Sequence, residues 1–260
     1  MIREGKIVKN RELKSIKGIL VAGGGGSRLY PFTKYTHKTL LPLNDRPVID
    51  YALAIMRRAG IKDIIIIANE HIGQIAKHIG VGLEGERIHY VIENEPKGVC
   101  NALNLARPHV EGHRIMLYFS DNITTWDFSS DAKLFLESDK PPGAVLLARK
   151  VNNPEAFGIC VMNEDEEVID IIEKPGMPYS SIAIGGIYLF DELFWNYLDM
   201  ASMAKGSLFS ISDITRIYIK NQNFTIHNIG PNTWIDCGTP DGLLEASIMA
   251  RNDEISWKVN

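Results

Sequence analysis

The chain has 260 residues, 45% of them hydrophobic, and a formal net charge of −4. That composition supports one large domain, or one with a small lobe, with a core that needs no staples. Charges of both signs are spread along it, which argues against a nucleic-acid partner, and no apolar run approaches the roughly 20 residues of a membrane span.

The three cysteines, Cys100, Cys160 and Cys237, are odd in number and far apart. They form neither a disulfide framework nor a metal cluster, and the expected location is the cytoplasm. Residues 1–15 read as a charged arm without a signal core.

The first element is Ile16–Ala22, an apolar, β-branched run that predicts a buried strand. Gly23, Gly24, Gly25 and Gly26 follow, then Ser27 and Arg28. Without Cβ atoms the backbone can take left-handed angles, and successive N–H groups can cradle phosphate oxygens. The loop matches neither Gly-x-x-x-x-Gly-Lys-Ser/Thr nor a clean Gly-x-Gly-x-x-Gly. Thr33–Leu43 reads as extended, with Lys38 ahead of Leu40-Leu-Pro42. Asn44 or Asp45 is expected to cap a helix that has Pro47 in its first turn and ends at Arg58 before Gly60.

Asp63–Ala68 predicts a strand buried on both faces. A short helix at His71–Ile79, a strand at Arg87–Glu93, a helix at Lys97–Ala106 with Pro108 beyond it, and a strand at Arg114–Ser120 complete a βα alternation. That alternation predicts a parallel sheet with helices on both faces. Strand-like segments follow at Ala144–Val151, Phe157–Met162, Val168–Ile172, Ile182–Phe190 and Phe224–Ile229. Helices are expected at Asp191–Met200, Ser212–Lys220 and Pro240 to about Asn252. Residues 16–252 read as a single domain, with a nucleotide-binding part near 16–140, an acceptor-binding part near 141–252 and a tail at 253–260.

Ligands of open parallel sheets bind beyond the carboxyl ends of the strands. The glycine loop, Glu93 and Asp121 all stand at such ends. Asp121 closes an apolar strand, where a carboxylate must face a cleft or be paired. Asp236 lies in Trp234-Ile-Asp-Cys-Gly-Thr239, where either it or Thr239 could cap the last helix. Two carboxylates from distant segments suit a Mg²⁺ that keeps waters and substrate phosphates. Arg28 and Lys38 are the cations for a triphosphate. Gly185-Gly186 inside a strand signals close approach by another backbone or a ligand.

The run Ala22-Gly-Gly-Gly-Gly-Ser-Arg-Leu-Tyr-Pro31, with Lys38 before Leu-Leu-Pro, resembles the signature of sugar-1-phosphate nucleotidylyltransferases. Ser120-Asp-Asn122, Glu173-Lys-Pro175 and Trp234–Thr239 resemble later blocks of that family in the same order. The likeness spans residues 16 to about 250 and is greatest to the glucose-1-phosphate thymidylyltransferases. It implies a Rossmann-like α/β nucleotidyltransferase domain of GT-A-like type with a small acceptor-binding lobe, often oligomeric. It further implies that Ala22, Gly23–Ser27, Glu93 and Gly98 bind the nucleotide, with Arg28, Lys38 and Asp121 catalytic. Asp121 and Asp236 would carry Mg²⁺, and Gly158, Glu173, Lys174, Gly186, Tyr188 and Trp234 would line the acceptor site.

The implied reaction joins a nucleoside triphosphate, dTTP or UTP by the overall likeness, to glucose 1-phosphate. Three departures keep alternatives open. Glu93 stands where the thymidylyltransferases have glutamine, and Phe157 where they have tyrosine. The block Gly206–Asp213 replaces a pattern with glutamates. GTP or CTP thus remain open as nucleotides, and an amino-alcohol phosphate or a phosphonate as acceptor. A non-catalytic nucleotide- or sugar-sensing protein is the reading from another class. Retention of Arg28 and of both metal carboxylates disfavours it.

Overall fold

The structure, a computed structural model, describes residues 15–95, 98–138, 140–206 and 209–259. The N-terminal arm, apart from Ser15, and Lys97 at the expected start of the third helix lie outside them.

β1 (Ile16–Ala22) lies inside the parallel part of the main sheet. The segment after it is not extended. It makes three short 3₁₀ turns, at Ser27–Leu29, Phe32–Lys34 and Lys38–Leu40. Local hydrogen bonds hold them, such as Leu29 N to Gly26 O at 2.9 Å and Leu40 N to His37 O at 2.9 Å. Asn44 and Asp45 do not cap a helix either. They form the turn between β2 (Pro42–Leu43) and β3 (Arg46–Pro47), with Asn44 at φ 61°. Asparagine tolerates that left-handed conformation better than most residues. The helix α1 (Val48–Arg58) starts after Pro47 and takes no side-chain cap.

β4 (Asp63–Ala68), α2 (Ile72–Ile79), β5 (Arg87–Ile92), α3 (Val99–Val110) and β6 (Arg114–Phe119) follow. Pro108 lies inside α3 rather than beyond it. It sits in the last turn, where the carbonyl it leaves without an N–H belongs to exposed Asn104 and can meet water. β7 (Asn122–Thr124) and α4 (Ser129–Glu137) come next, then β8 (Ala144–Lys150), β9 (Gly158–Met162), β10 (Val168–Glu173) and β11 (Ile182–Phe190). α5 (Phe194–Lys205) begins three residues later than the sequence suggests. Asp191 is used otherwise: its carboxylate accepts from Tyr218 Oη at 2.7 Å and from Leu193 N at 3.1 Å. α6 (Ile211–Lys220), β12 (Phe224–Asn228), β13 (Trp234–Asp236) and α7 (Pro240–Arg251) complete the described elements.

The main sheet runs β10-β9-β11-β6-β1-β4-β5, with β8 on β11 and β12 on β8. β5, β4, β1 and β6 are mutually parallel; β11 is antiparallel to β6. Consecutive isoleucines show how the layers arise. Ile64 and Ile66 pack with α1 and α2, while Ile65 and Ile67 pack with α3. Each is fully buried, worth roughly 1.5–3 kcal/mol apiece relative to exposure. This is a Rossmann-like α/β sheet with helices on both faces. The chain passes from β1 outward to β4 and β5, then returns to β6 on the other side of β1. The topological switch point, where such folds bind ligands, therefore lies between the ends of β1 and β6.

A two-stranded antiparallel ribbon, β7 with β13, sits beyond that point. It shares a smaller apolar cluster with α7, Leu43, Val48 and Ile255. β11 is bonded to β6 only from Ile187 onward, and its pairing with β8 is irregular between Ile184 and Tyr188. Gly185 and Gly186 fall in that gap. The close approach they permit comes from side chains: a Cβ on Gly186 would lie 2.7 Å from Asn122 Oδ1, and one on Gly185 would lie 3.3 Å from Trp234 Nε1.

Candidate active site

Ala22 ends β1 fully buried, so it offers the site only its backbone. Gly24 (φ 90°) and Gly26 (φ 61°) turn the loop through left-handed angles. Gly26 also has no room for a side chain: a Cβ would lie 2.8 Å from Thr33 Cγ2. Thr33 Oγ1 donates to Gly26 O at 2.8 Å and ties the loop to the second 3₁₀ turn. Gly24 and Gly25 are exposed, with open space where a Cβ would be. Ser27 opens the first 3₁₀ turn, which buried Leu29 anchors.

The charged groups of this site come from four separate stretches of sequence. β7 and β13 pair Asn122 with Asp236, and Cys237 N donates to Asp121 O at 2.8 Å. The ribbon thereby sets the two aspartates side by side. Gly238 marks where they meet. A Cβ there would lie 2.7 Å from Arg28 Nη2, 2.8 Å from Asp236 Oδ1 and 3.1 Å from Asp121 Oδ2. Arg28 Nη2 is 3.4 Å from Asp236 Oδ2. Lys38 Nζ is 2.5 Å from Asp121 Oδ2, with both side chains about 15% exposed. Burial opposes ionisation of Asp121, but the Lys38 ammonium and hydrogen bonds from its own backbone N–H and from Asn122 outweigh it and hold the carboxyl below its usual range. Asp236 does not cap α7; Thr239 does, accepting from Gly242 N at 3.1 Å, while Asp236 Oδ1 accepts from Gly238 N at 2.8 Å.

Asp121 Oδ2 and Asp236 Oδ1 both approach the space beside Gly238, where Lys38, Arg28, Asn122 and the Gly238 N–H are the present partners of the two carboxylates. Among the described residues no three His, Cys, Asp or Glu side chains cluster as an all-protein metal cage. Two hard oxygen donors with open space beside them fit a cation that keeps waters and substrate oxygens.

On the other side of the aspartates a cleft runs between β9, β10 and β11. Gly158, Glu173, Gly186, Tyr188 and Trp234 line it together with Asp121 and Asp236. A Cβ on Gly158 would lie 2.8 Å from Ser212 Oγ, which donates to Glu173 Oε2 at 2.6 Å. Phe157 stands edge-on to Trp234 at 5.1 Å between ring centroids. Lys174 does not line this cleft. Its side chain is 65% exposed, with Nζ 3.9 Å from Glu173 Oε1. Glu93 is buried near Gly23, and Gly98 caps α3 at φ 93°.

Asn122 belongs to the Ser120-Asp-Asn122 block, but the sequence assigns it no role. Its Oδ1 accepts from Trp234 Nε1 at 2.6 Å and from Gly186 N at 3.1 Å, and its Nδ2 donates to Asp121 Oδ1 at 2.9 Å. One amide thus fastens β7 to β13 and β11 and orients Asp121. The available signal was a polar side chain directly after the strand-end aspartate. Ser212 gave less warning; it lies in the altered Gly206–Asp213 block, of which Ser207 and Leu208 lie outside the described residues. The rest of that block supplies a capping box for α6, with Ser210 N donating to Asp213 Oδ2 at 2.9 Å.

A family model described as nucleotidyl transferase matches residues 17–252. The chain belongs to the nucleotidyl transferase family. Among curated relatives, the glucose-1-phosphate thymidylyltransferase of Neisseria meningitidis is 32% identical over 259 residues, covering 94% of this chain and 89% of the relative. The enzyme of the same name from Xanthomonas campestris is 34% identical over 234 residues, covering 89% and 79%. A Bacillus anthracis protein assigned to the same enzyme class, solved with a sucrose, superimposes with a TM-score of 0.84 at 34% identity, covering 92% of this chain and 96% of that one. A UDP-glucose pyrophosphorylase solved with UDP-glucose, at 19% identity and a TM-score of 0.78, shares the fold. As a nucleotidyltransferase the chain is an enzyme, and among its described residues no helix is long and apolar enough to cross a membrane.

His37 makes the stability of this site depend on pH. Its ring is buried, and Nδ1 accepts from Thr39 N at 3.2 Å. Burial and then the Lys38 charge lower its pKa to about 4. The unfolded chain protonates this histidine near 6.5, while the folded chain resists until about 4, so the unfolded state binds more protons between those values. Stability from this group is complete above pH 6.5 and declines as pH falls toward 4. One proton is worth about 1.4 kcal/mol per pH unit, so roughly 2 kcal/mol is lost between pH 7 and pH 5. Urea unfolding of wild type and His37→Gln at both pH values checks this. The variant is expected to lose less than wild type; an equal loss would remove His37 as the source.

Proposed function

We propose that the chain transfers a nucleotidyl group from a nucleoside triphosphate to a sugar 1-phosphate, releasing pyrophosphate. The names of the relatives favour dTTP, or UTP, with glucose 1-phosphate. The single observation that carries the reading is the meeting of Arg28, Lys38, Asp121 and Asp236 around Gly238, at the switch point of the sheet.

In this reading the acceptor phosphate oxygen attacks the α-phosphorus in line, and the bond to pyrophosphate breaks. No protein nucleophile is required. The glycine loop holds the nucleotide, Arg28 faces the triphosphate oxygens, and Lys38 supports the reacting phosphates. Asp121 and Asp236 would hold Mg²⁺, which when bound offsets the negative charge gathering on the phosphate oxygens. Glu173, fixed by Ser212, accepts from sugar hydroxyls in the cleft. Positioning of two bound substrates supplies most of the remaining rate gain.

The test is a pyrophosphate-release screen of five nucleoside triphosphates against phosphorylated acceptors, with and without Mg²⁺. Turnover of dTTP or UTP with glucose 1-phosphate is expected. Turnover confined to an amino-alcohol phosphate or a phosphonate would replace the acceptor, and none with any pair would sink the reading. Lys174→Ala tests the acceptor side further. Its exposed, flexible side chain needs to rotate into the cleft to meet the sugar phosphate, and a charged hydrogen bond is worth about 1.5–3 kcal/mol. The apparent KM for the acceptor is therefore expected to rise about tenfold or more, with that for the nucleotide little changed. An effect confined to the nucleotide would put Lys174 in the wrong subsite.

A further inference from the structure

A carboxylate is buried at one end of the glycine loop. Glu93 is 3% exposed, and its Oε2 lies 3.2 Å from where a Cβ of Gly23 would be. Its N–H donates to Ala68 O at 2.8 Å, which extends the β4–β5 pairing by one residue and fixes where the side chain starts. Oε1 accepts from Asn101 Nδ2 at 2.9 Å. Asn101 stands in the first turn of α3. A carboxylate buried to this degree needs donors at both oxygens, and Oε2 faces the loop.

The loop is therefore electrostatically polar along its length. Its far end carries Arg28, and Lys38 Cβ lies 3.2 Å from the Cβ position of Gly26. Triphosphate oxygens belong at that cationic end. They would be repelled by Glu93, so the Gly23 end is left to the uncharged base.

We infer that Glu93 and Asn101 together read a thymine or uracil ring, resting on the nucleotidyl-transfer reading above. Such a ring presents an N3–H donor beside the O4 carbonyl. A single amide side chain could answer both, accepting from one and donating to the other. A carboxylate can only accept, and alone it would set an oxygen against the carbonyl. Asn101 supplies what is missing. Its Nδ2 has two hydrogens; one is held by Glu93 Oε1, and the second is the donor for O4. Glu93 Oε2 takes N3–H. The hydrogen bond between the two side chains holds acceptor and donor in fixed relation, so a glutamate and an asparagine present the pattern of one amide. Guanine, with N1–H and an exocyclic amine side by side, would want both carboxylate oxygens, and Asn101 already occupies one of them.

The test measures binding of dTTP, UTP, GTP and CTP to the full chain in Mg²⁺ by calorimetry, without any acceptor. Wild type is expected to bind dTTP and UTP more tightly than GTP or CTP. Asn101→Ala is expected to weaken dTTP at least tenfold and GTP little. Adding Glu93→Gln to Asn101→Ala is expected to restore most of that loss, because the glutamine amide both accepts and donates. A contact that merely steadies α3 would weaken all four nucleotides alike and would not be rescued. That pattern, or a wild-type preference for GTP or CTP, overturns the inference. A chain that binds no triphosphate instead sinks the nucleotidyl-transfer reading, so the two failures look different.

Discussion

Asp121→Asn and Asp236→Asn are each expected to reduce Mg²⁺-dependent turnover on the order of 10³-fold or more. The proposed cation has two protein carboxylates, and an amide oxygen carries no full charge to replace one of them. Loss of a ligand removes several kcal/mol of charge stabilisation, and each 1.4 kcal/mol or so is tenfold in rate. The two variants differ in what else they disturb. Asp121→Asn leaves Lys38 facing a neutral group, which costs stability on the order of 1–3 kcal/mol for a largely buried charged contact. That is a drop of several degrees in Tm for a chain of this size. Asp236→Asn breaks only a 3.4 Å contact with a mostly exposed guanidinium, so its Tm should barely move. Turnover in graded Mg²⁺ with and without EDTA, beside thermal unfolding of each variant, separates the effects. Full activity of both variants, or wild-type activity unaffected by excess EDTA, would end the two-carboxylate assignment.

The parallel half of the sheet was legible because its strands are continuous apolar runs. Ile16–Ala22 and Asp63–Ala68 match the expected bounds residue for residue. Burial on both faces leaves no other reading of four isoleucines in a row. What failed was local and polar. Thr33–Leu43 has no apolar period, and its 3₁₀ turns are set by contacts such as Thr33 with Gly26, which sequence spacing does not reveal. Asn44-Asp45 fits a helix cap and a hairpin turn equally well; the backbone pairing of Leu43 with Arg46 decided between them. β7 has only three residues and acquires its meaning from β13, more than a hundred positions later.

The same distinction holds at the site. Asp121 and Asp236 could be singled out because each ends an apolar stretch, and Arg28 because it closes the glycine loop. Asn122, Ser212 and Asn101 could not, because their partners lie on other elements: Trp234 and Gly186, Glu173, and Glu93. Each acts by holding a neighbour in place. The glycines show the converse. Gly186, inside a strand, signals close approach already in sequence, whereas Gly158 and Gly238 do not; at each of the three a single methyl group would displace a site residue. Their role is to let Glu173, Asn122 and Arg28 come near.

Arg28→Ala is expected to lower turnover about 10²–10³-fold while leaving the fold intact. The guanidinium passes over Gly238 at a distance no side chain would permit, and its Nη2 stands 3.4 Å from Asp236 Oδ2. It is thus placed before substrate arrives, and a preorganised charge aimed at developing negative charge contributes about 3–4 kcal/mol to lowering a barrier. Its cost to stability is small, because the side chain is 58% exposed and an ion pair of that kind is worth about 0–1 kcal/mol. A Tm within a few degrees of wild type is the control that the variant is folded. Arg28→Lys refines the reading. Lysine keeps the charge but not the planar fork that can hold two phosphate oxygens at once, so only part of the rate should return. The measurement is kcat with both substrates saturating, which keeps weakened binding from passing as a slower chemical step. Near-normal kcat in a folded Arg28→Ala variant would reduce Arg28 to a surface residue beside the loop and leave Lys38 as the cation that faces the phosphates.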